Sequence, residues 1–167
     1  MQESFETKNL VIKNASSELG IDNLLDELRK INSNKSVIQI FDTNSVINRT
    51  HLIAAYVNTI TAFKNKTNKT KTKSIEMLLF AAMTDQIANA IEVSGAKDNS
   101  NFIIFSNTMQ NLNKAKKFVK IGTDFNASKD EIQKASRILG IGFKKNDRRA
   151  INLKILEKMA LSRLGSD

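Results

Sequence analysis

One histidine, no cysteine and a scatter of carboxylates set the limits on what chemistry these 167 residues can do. His51 is the single imidazole; a lone histidine works as a general acid or base only beside a nucleophile or a second titratable partner, and none stands near it. The lack of cysteine excludes disulfides, thiol nucleophiles and Cys-ligated zinc, and one histidine excludes a His-rich metal site. Asp42, Glu76 and Asp85 are the carboxylates open to an acid–base role, but they lie apart with no supporting ligands. Asp22, Asp26 and Glu27 precede Arg29 and Lys30, an order that suits a helix dipole and a solvated helix face. Gly140-Ile141-Gly142 has G-x-G spacing, yet it follows a helical pattern and lacks the third glycine of a dinucleotide site. The expectation is no catalytic residue, no metal and no cofactor.

Charge is the stronger signal. The chain carries 26 basic and 17 acidic residues, a net charge of +9, which favours an anionic partner. Five of the lysines stand in one run, Lys64 to Lys73, with no acid and no apolar residue among them. Such a run predicts a solvated surface loop over 64–73: a mobile linker on the plain reading, a phosphate-contacting loop on the sharper one.

The elements that must position these groups read as one α/β (α+β) domain over 1–167, a small mixed sheet surrounded by helices. Apolar content of 41% and charged content of 26% are ordinary for a chain that buries a core. Its start, MQESFETK, has no signal-peptide core, and nothing later approaches a membrane span, so the expected location is cytoplasmic. Strands are expected at Asn9–Lys13, Val37–Phe41 and Phe102–Ser106. Apolar spacing predicts a helix over Ile21–Ile31 and another over His51–Phe63, the latter burying Leu52, Ile53, Tyr56, Val57, Ile60 and Phe63 on one face.

From Lys73 to Ser106 the pattern is helix, tight break, helix, Gly95 turn and strand, with Ser74 or Thr72 capping the first helix and Thr84 the second. Further helices are predicted over Met109–Val119, with a basic patch at Lys114, Lys116, Lys117 and Lys120, and over Lys129–Leu139, with Ser128 and Glu131 at capping-box spacing.

The last helix, about Arg148 to Leu164, is too apolar for one buried face. Ile151, Leu153, Ile155, Leu156, Met159, Ala160 and Leu164 spread over roughly 220° of the wheel, and Leu161 lies outside even that arc. A second docking surface accounts for the surplus; burial against a neighbouring terminal element of the same chain is the alternative.

Three strings, in order and with fitting spacing, carry a resemblance: IFDTNSVINRTHLIAAYVNTITAF, SIEMLLFAAMTDQIANAIEVSGAKDNSNFIIF and ILEKMALSRL. With Glu76, Gln86-Ile87, Gly95 and the closing LEKMAL, the chain resembles the small kinase-binding subunit of the KEOPS complex, the family of the PRPK-binding protein, in its archaeal form. The resemblance implies a helix-wrapped sheet without catalysis and binding to a small atypical protein kinase. Through that kinase it implies indirect contact with the other KEOPS subunits, which make threonylcarbamoyl adenosine in tRNA, and recruitment of tRNA by its 3′ CCA end.

On that reading Leu156, Met159, Leu161 and Leu164 are the expected kinase contacts. Asp85 stands where archaeal members carry a cation, so the expected tRNA contacts move to Lys64, Lys66, Lys69, Lys71, Lys73 and Lys97. The rival reading is a stand-alone basic nucleic-acid-binding domain without a kinase partner.

Overall fold

The computed structural model describes residues 9–142 and 147–164; the opening MQESFETK and Phe143, which follows the second glycine of the G-x-G, lie outside them. The element order is β1 (Val11–Ser16), α1 (Ile21–Ile31), β2 (Ile38–Phe41), a 3-10 turn (Thr43–Ser45), α2 (Arg49–Asn65), α3 (Lys73–Ala82) and α4 (Ile87–Ser94). Then come β3 (Phe102–Ser106), α5 (Met109–Ala115), β4 (Lys120–Asp124), α6 (Lys129–Ile138) and α7 (Arg148–Leu161). Among the described residues no helix is long and apolar enough to cross a membrane.

The strands form one sheet in the order β2-β3-β1-β4. Every pairing is antiparallel, so the sheet is not of mixed direction. Central β3 is buried at every position, and its alternation divides the core. Phe102 and Ile104 join Ile38 and Ile40 against Leu24 and Leu28 of α1 and Leu112 of α5. Ile103 and Phe105 face the opposite way, with Phe41 and Ile12, into the larger cluster built from α2, α3, α6 and α7. Each such fully buried Ile, Leu or Phe side chain stabilises the fold by about 1.5–3 kcal/mol.

Several expectations shift. β1 starts two residues later than the apolar run suggested and continues through Asn14-Ala15-Ser16, because Asn14 and Ala15 pair with β3 and Ala15 and Ser16 with β4. The helix expected to reach Val119 ends at Ala115, and Lys120 opens β4, an edge strand whose largely exposed KIGTD has no alternation to betray it. Helix α2 buries Leu52, Ala55, Thr59 and Ala62, while Ile53, Tyr56, Val57, Ile60 and Phe63 stay partly exposed. Small residues let the largely buried α3 lie close, and they outrank bulk in deciding which face turns inward.

Caps are also local matters with mixed outcomes. Ser128 and Glu131 form the expected capping box of α6. Thr72 is the N-cap of α3 but its side chain makes no cap bond. The N-cap of α4 is Gln86, and Thr84 instead accepts from the Gln86 amide at 3.3 Å and the Asn89 amide group at 3.2 Å. Gly95 ends α4, where a Cβ would lie 2.5 Å from the Ile91 carbonyl oxygen; Gly95 also bridges to Phe41.

Candidate binding surfaces

The lysine run does not form a free linker. Lys64 and Asn65 complete α2, Lys66 closes it in the left-handed region (φ 58°), and Lys73 begins α3. What lies between wraps a buried acid. The Glu76 carboxylate accepts from the Lys69 amide (3.1 Å), the Thr70 amide (2.9 Å) and the Thr70 hydroxyl (2.9 Å). Arg163, just beyond α7, completes the set with Nη2 at 2.9 Å from Glu76 Oε1. Its guanidinium carbon sits 4.0 Å from the Phe80 ring centroid, a stacking distance for a cation–π contact. A fully buried carboxylate needs this many donors, so Thr70 is buried too and the loop is fixed at its middle. The expectation that the run cannot pack is corrected here: its lysines stay at the surface, but Thr70 and the amides of Lys69 and Thr70 are drawn inward.

The six lysines expected to meet tRNA separate into three settings. Lys69 Nζ is 3.0 Å from Asp85, and Lys97 Nζ is 3.1 Å from Asp42, so each is tied to an acid of this chain. Lys73 Nζ donates to the Asn34 carbonyl at 2.6 Å and lies 5.7 Å from the Phe63 ring centroid. Lys64, Lys66 and Lys71 are exposed, with no ion pair to any described residue. Asp85, where a family cation was expected, therefore engages one of the lysines that were to replace it.

Helix α7 has two faces. Ile151, Ile155 and Met159 are buried. Met159 is fully buried, with its sulfur beside the Asn58 amide group at 3.8 Å, so it cannot serve as a surface contact in this conformation. The other three expected contacts are exposed: Leu156 at 45%, Leu161 at 56% and Leu164 at 73%. Leu153, exposed at 59%, was not among them, although wheel arithmetic finds it: at 100° per residue Leu153, Leu156 and Ala160 fall within roughly 60°, opposite the buried stripe. Leu161 lies roughly 80° beyond that arc, and Leu164 follows in the turn past the helix end. Of the two readings of the apolar surplus, burial within the chain accounts for Met159 and leaves these leucines exposed.

The remaining chemical candidates are structural. His51 is fully buried; Nδ1 accepts from the Ile47 amide at 3.2 Å, which leaves Nε2 to donate to the Ala81 carbonyl at 2.9 Å. The ring staples the start of α2 to the end of α3. Desolvation is the main reason that its pKa falls to about 4, the Ala81 bond opposing it. At Gly140-Ile141-Gly142 the glycine carbonyls point at cations: Lys158 Nζ donates to Leu139 and Gly140, and Lys154 Nζ to Gly142. A phosphate cradle needs amides aimed inward, the opposite polarity. Gly140 has φ 63°, the left-handed turn that ends α6. Among the described residues no group of three or more His, Cys, Asp or Glu side chains is placed to hold a metal ion.

What the molecule offers is therefore surface: an uncovered leucine face on its last helix and a lysine-bearing loop braced by a buried acid. That is the outline of a binding protein built on a helix-wrapped antiparallel sheet. The chain belongs to the family described as kinase binding protein CGI-121, whose model matches residues 11–163. A search of curated proteins found no match.

Proposed function

We propose that this chain is the non-catalytic kinase-binding subunit of a KEOPS complex, working in the cytoplasm in the assembly that makes threonylcarbamoyl adenosine in tRNA. Its partner is the small atypical kinase subunit, through which it meets the other KEOPS subunits indirectly. The observation that carries this reading is the outward face of α7, where Leu153 and Leu156 stand exposed at helical spacing in a member of a kinase-binding family, with Leu161 beside them and exposed Leu164 just past the helix end. A helix with an exposed apolar face beside its buried one is the form that helix-in-groove recognition uses. The positive charge supports the second half of the proposal, contact with tRNA and its 3′ CCA end through Lys64, Lys66 and Lys71. Recruitment then works by raising the effective concentration of tRNA beside the modifying subunits.

The test is calorimetric titration of the chain against the kinase subunit. Leu156→Glu and Leu161→Glu, made together, lower affinity at least tenfold, since each places a charge in a desolvated apolar contact. Unchanged kinase affinity with an intact fold rejects α7 as the docking face. A stand-alone nucleic-acid-binding domain predicts no kinase binding in the first place.

A further inference from the structure

The inward stripe of α7 does not stop where the helix does. Ile151, Ile155 and Met159 are buried at four-residue spacing, and Arg163 falls on the same spacing one turn later. Its guanidinium lies over Phe80 and on the Glu76 carboxylate. The turn that carries it is a light one. The Arg163 amide donates to the Ala160 carbonyl at 3.2 Å and the Leu164 amide to the Leu161 carbonyl at 3.1 Å, each three residues back. Short-turn bonds of this kind close helix ends, and helix ends fray. Leu161 and Leu164, the large apolar side chains at this end, are exposed. The side chain that fastens the turn to the core is Arg163.

The lysine loop hangs on the same carboxylate. Glu76 is fixed in the first turn of α3, its own amide donating to the Thr72 carbonyl at 3.0 Å. Its two oxygens hold the Lys69 and Thr70 amides and the Thr70 hydroxyl on one side and Arg163 on the other. Withdrawing Arg163 takes a charge-assisted bond from a fully buried carboxylate. A carboxylate so stripped has to recruit water or a proton, and either one competes with its grip on the loop amides.

We propose that Arg163 and Glu76 form a linkage through which docking of the kinase subunit on the end of α7 closes the lysine loop. Contact with Leu161 and Leu164 favours the wound form of the last turn, which seats Arg163 on Glu76, and the seated pair holds the Lys69 and Thr70 amides. In the free chain the turn frays in a minor population and the loop opens with it. The linkage rests on the kinase-docking half of the reading above, and it needs no ligand on the loop itself. Its consequence is that the lysines of the run are held more firmly in one arrangement when the kinase is bound than when it is not.

The experiment is amide hydrogen exchange of the full-length chain, free and saturated with the kinase subunit. Protection of the Lys69 and Thr70 amides should rise about tenfold on docking, a usual size for coupling between sites. The Thr67 amide, which closes α2 on the Ala62 carbonyl at 2.9 Å and does not touch Glu76, should not change. Arg163→Lys keeps the charge but loses the planar fork that stacks on Phe80, so it should keep kinase binding and lose the gain. Thr70→Val loosens the loop without touching Arg163; it should lower protection of the Lys69 amide in the free chain and keep the gain. A gain that survives Arg163→Lys means that the kinase covers the loop directly, and it overturns the linkage. So does a gain lost equally in Thr70→Val, which traces it to general loosening. Kinase binding with no gain in the unaltered chain overturns the linkage alone, and no kinase binding by calorimetry overturns both it and the functional reading.

Discussion

Replacing Glu76 by Gln should destabilise this protein more than any single change at an exposed ion pair. The carboxylate is fully buried and accepts four hydrogen bonds, two from backbone amides, one from the Thr70 hydroxyl and one from Arg163. A glutamine keeps the volume but offers one acceptor oxygen, and it turns an NH₂ group toward donors that have nothing to give it in return. It also removes the carboxylate charge that faces the Arg163 guanidinium, whose side chain is 16% exposed. Breaking a buried pair from one side costs about 3–5 kcal/mol; the low end suits Gln, which retains part of the network. For a chain of this length, about 3 kcal/mol lowers the melting temperature by about 6–12 °C.

The assay is urea unfolding of wild type, Glu76→Gln, Arg163→Ala and the double variant, read as a change in midpoint at constant slope. Once one partner is gone the other has less to lose, so the double variant should be about 2 kcal/mol more stable than the sum of the singles implies. Because the same carboxylate holds the Lys69 and Thr70 amides, trypsin should also cut faster at Lys66, Lys69 and Lys71 in Glu76→Gln. A Glu76→Gln variant within 0.5 kcal/mol of wild type, or strictly additive costs, would refute the view that this acid organises the loop.

Two further outcomes follow from buried groups. The unfolded His51 imidazole protonates near pH 6.5 and the folded one only near about 4, so between these values the unfolded chain binds a proton that the folded chain does not. Its contribution is fully present above about pH 6.5 and falls away toward pH 4 by about 3 kcal/mol; comparing urea midpoints of wild type and His51→Gln across that range isolates it from the carboxylates. Met159→Ala should cost about 2–5 kcal/mol in thermal unfolding, whereas Leu153→Glu on the outer face should stay within about 0.5 kcal/mol, which separates the core stripe of α7 from its exposed one.

The parts of this molecule legible in its sequence are those decided within a few residues. Strands β2 and β3 announce themselves as apolar runs, α1 by its spacing, and the α6 box by Ser128 and Glu131. The exposed leucines of α7 are visible as a surplus over what one buried face can hold. Edge strand β4 is not visible, since Lys120–Asp124 packs almost nothing and owes its state to pairing with β1 more than 100 positions earlier. The inward face of α2 misleads for a related reason: periodicity ranks residues by bulk, while close contact with α3 favours Ala55, Thr59 and Ala62. Met159 was misplaced because a wheel shows how wide an apolar arc is, not which part of it meets the core.

The lysine run is the instructive failure. Composition says that a segment of Lys, Thr and Asn cannot pack, and for its lysines that holds, whereas Thr70 is buried. Its order comes instead from an acid several residues ahead in α3 and an arginine 87 positions further on. Five ammonium groups in ten residues repel one another, so a negative centre is needed if the segment is to hold one shape. Glu76 supplies it, facing inward to backbone amides so that Lys66 and Lys71 stay outside in solvent. The same carboxylate draws Arg163 onto Phe80 and so fixes the chain where it leaves α7. One buried residue thus sets the geometry of both surfaces proposed to bind partners. A shift of α7 that moves Arg163 has to be felt at Lys69 and Thr70, because all of them share its two oxygens.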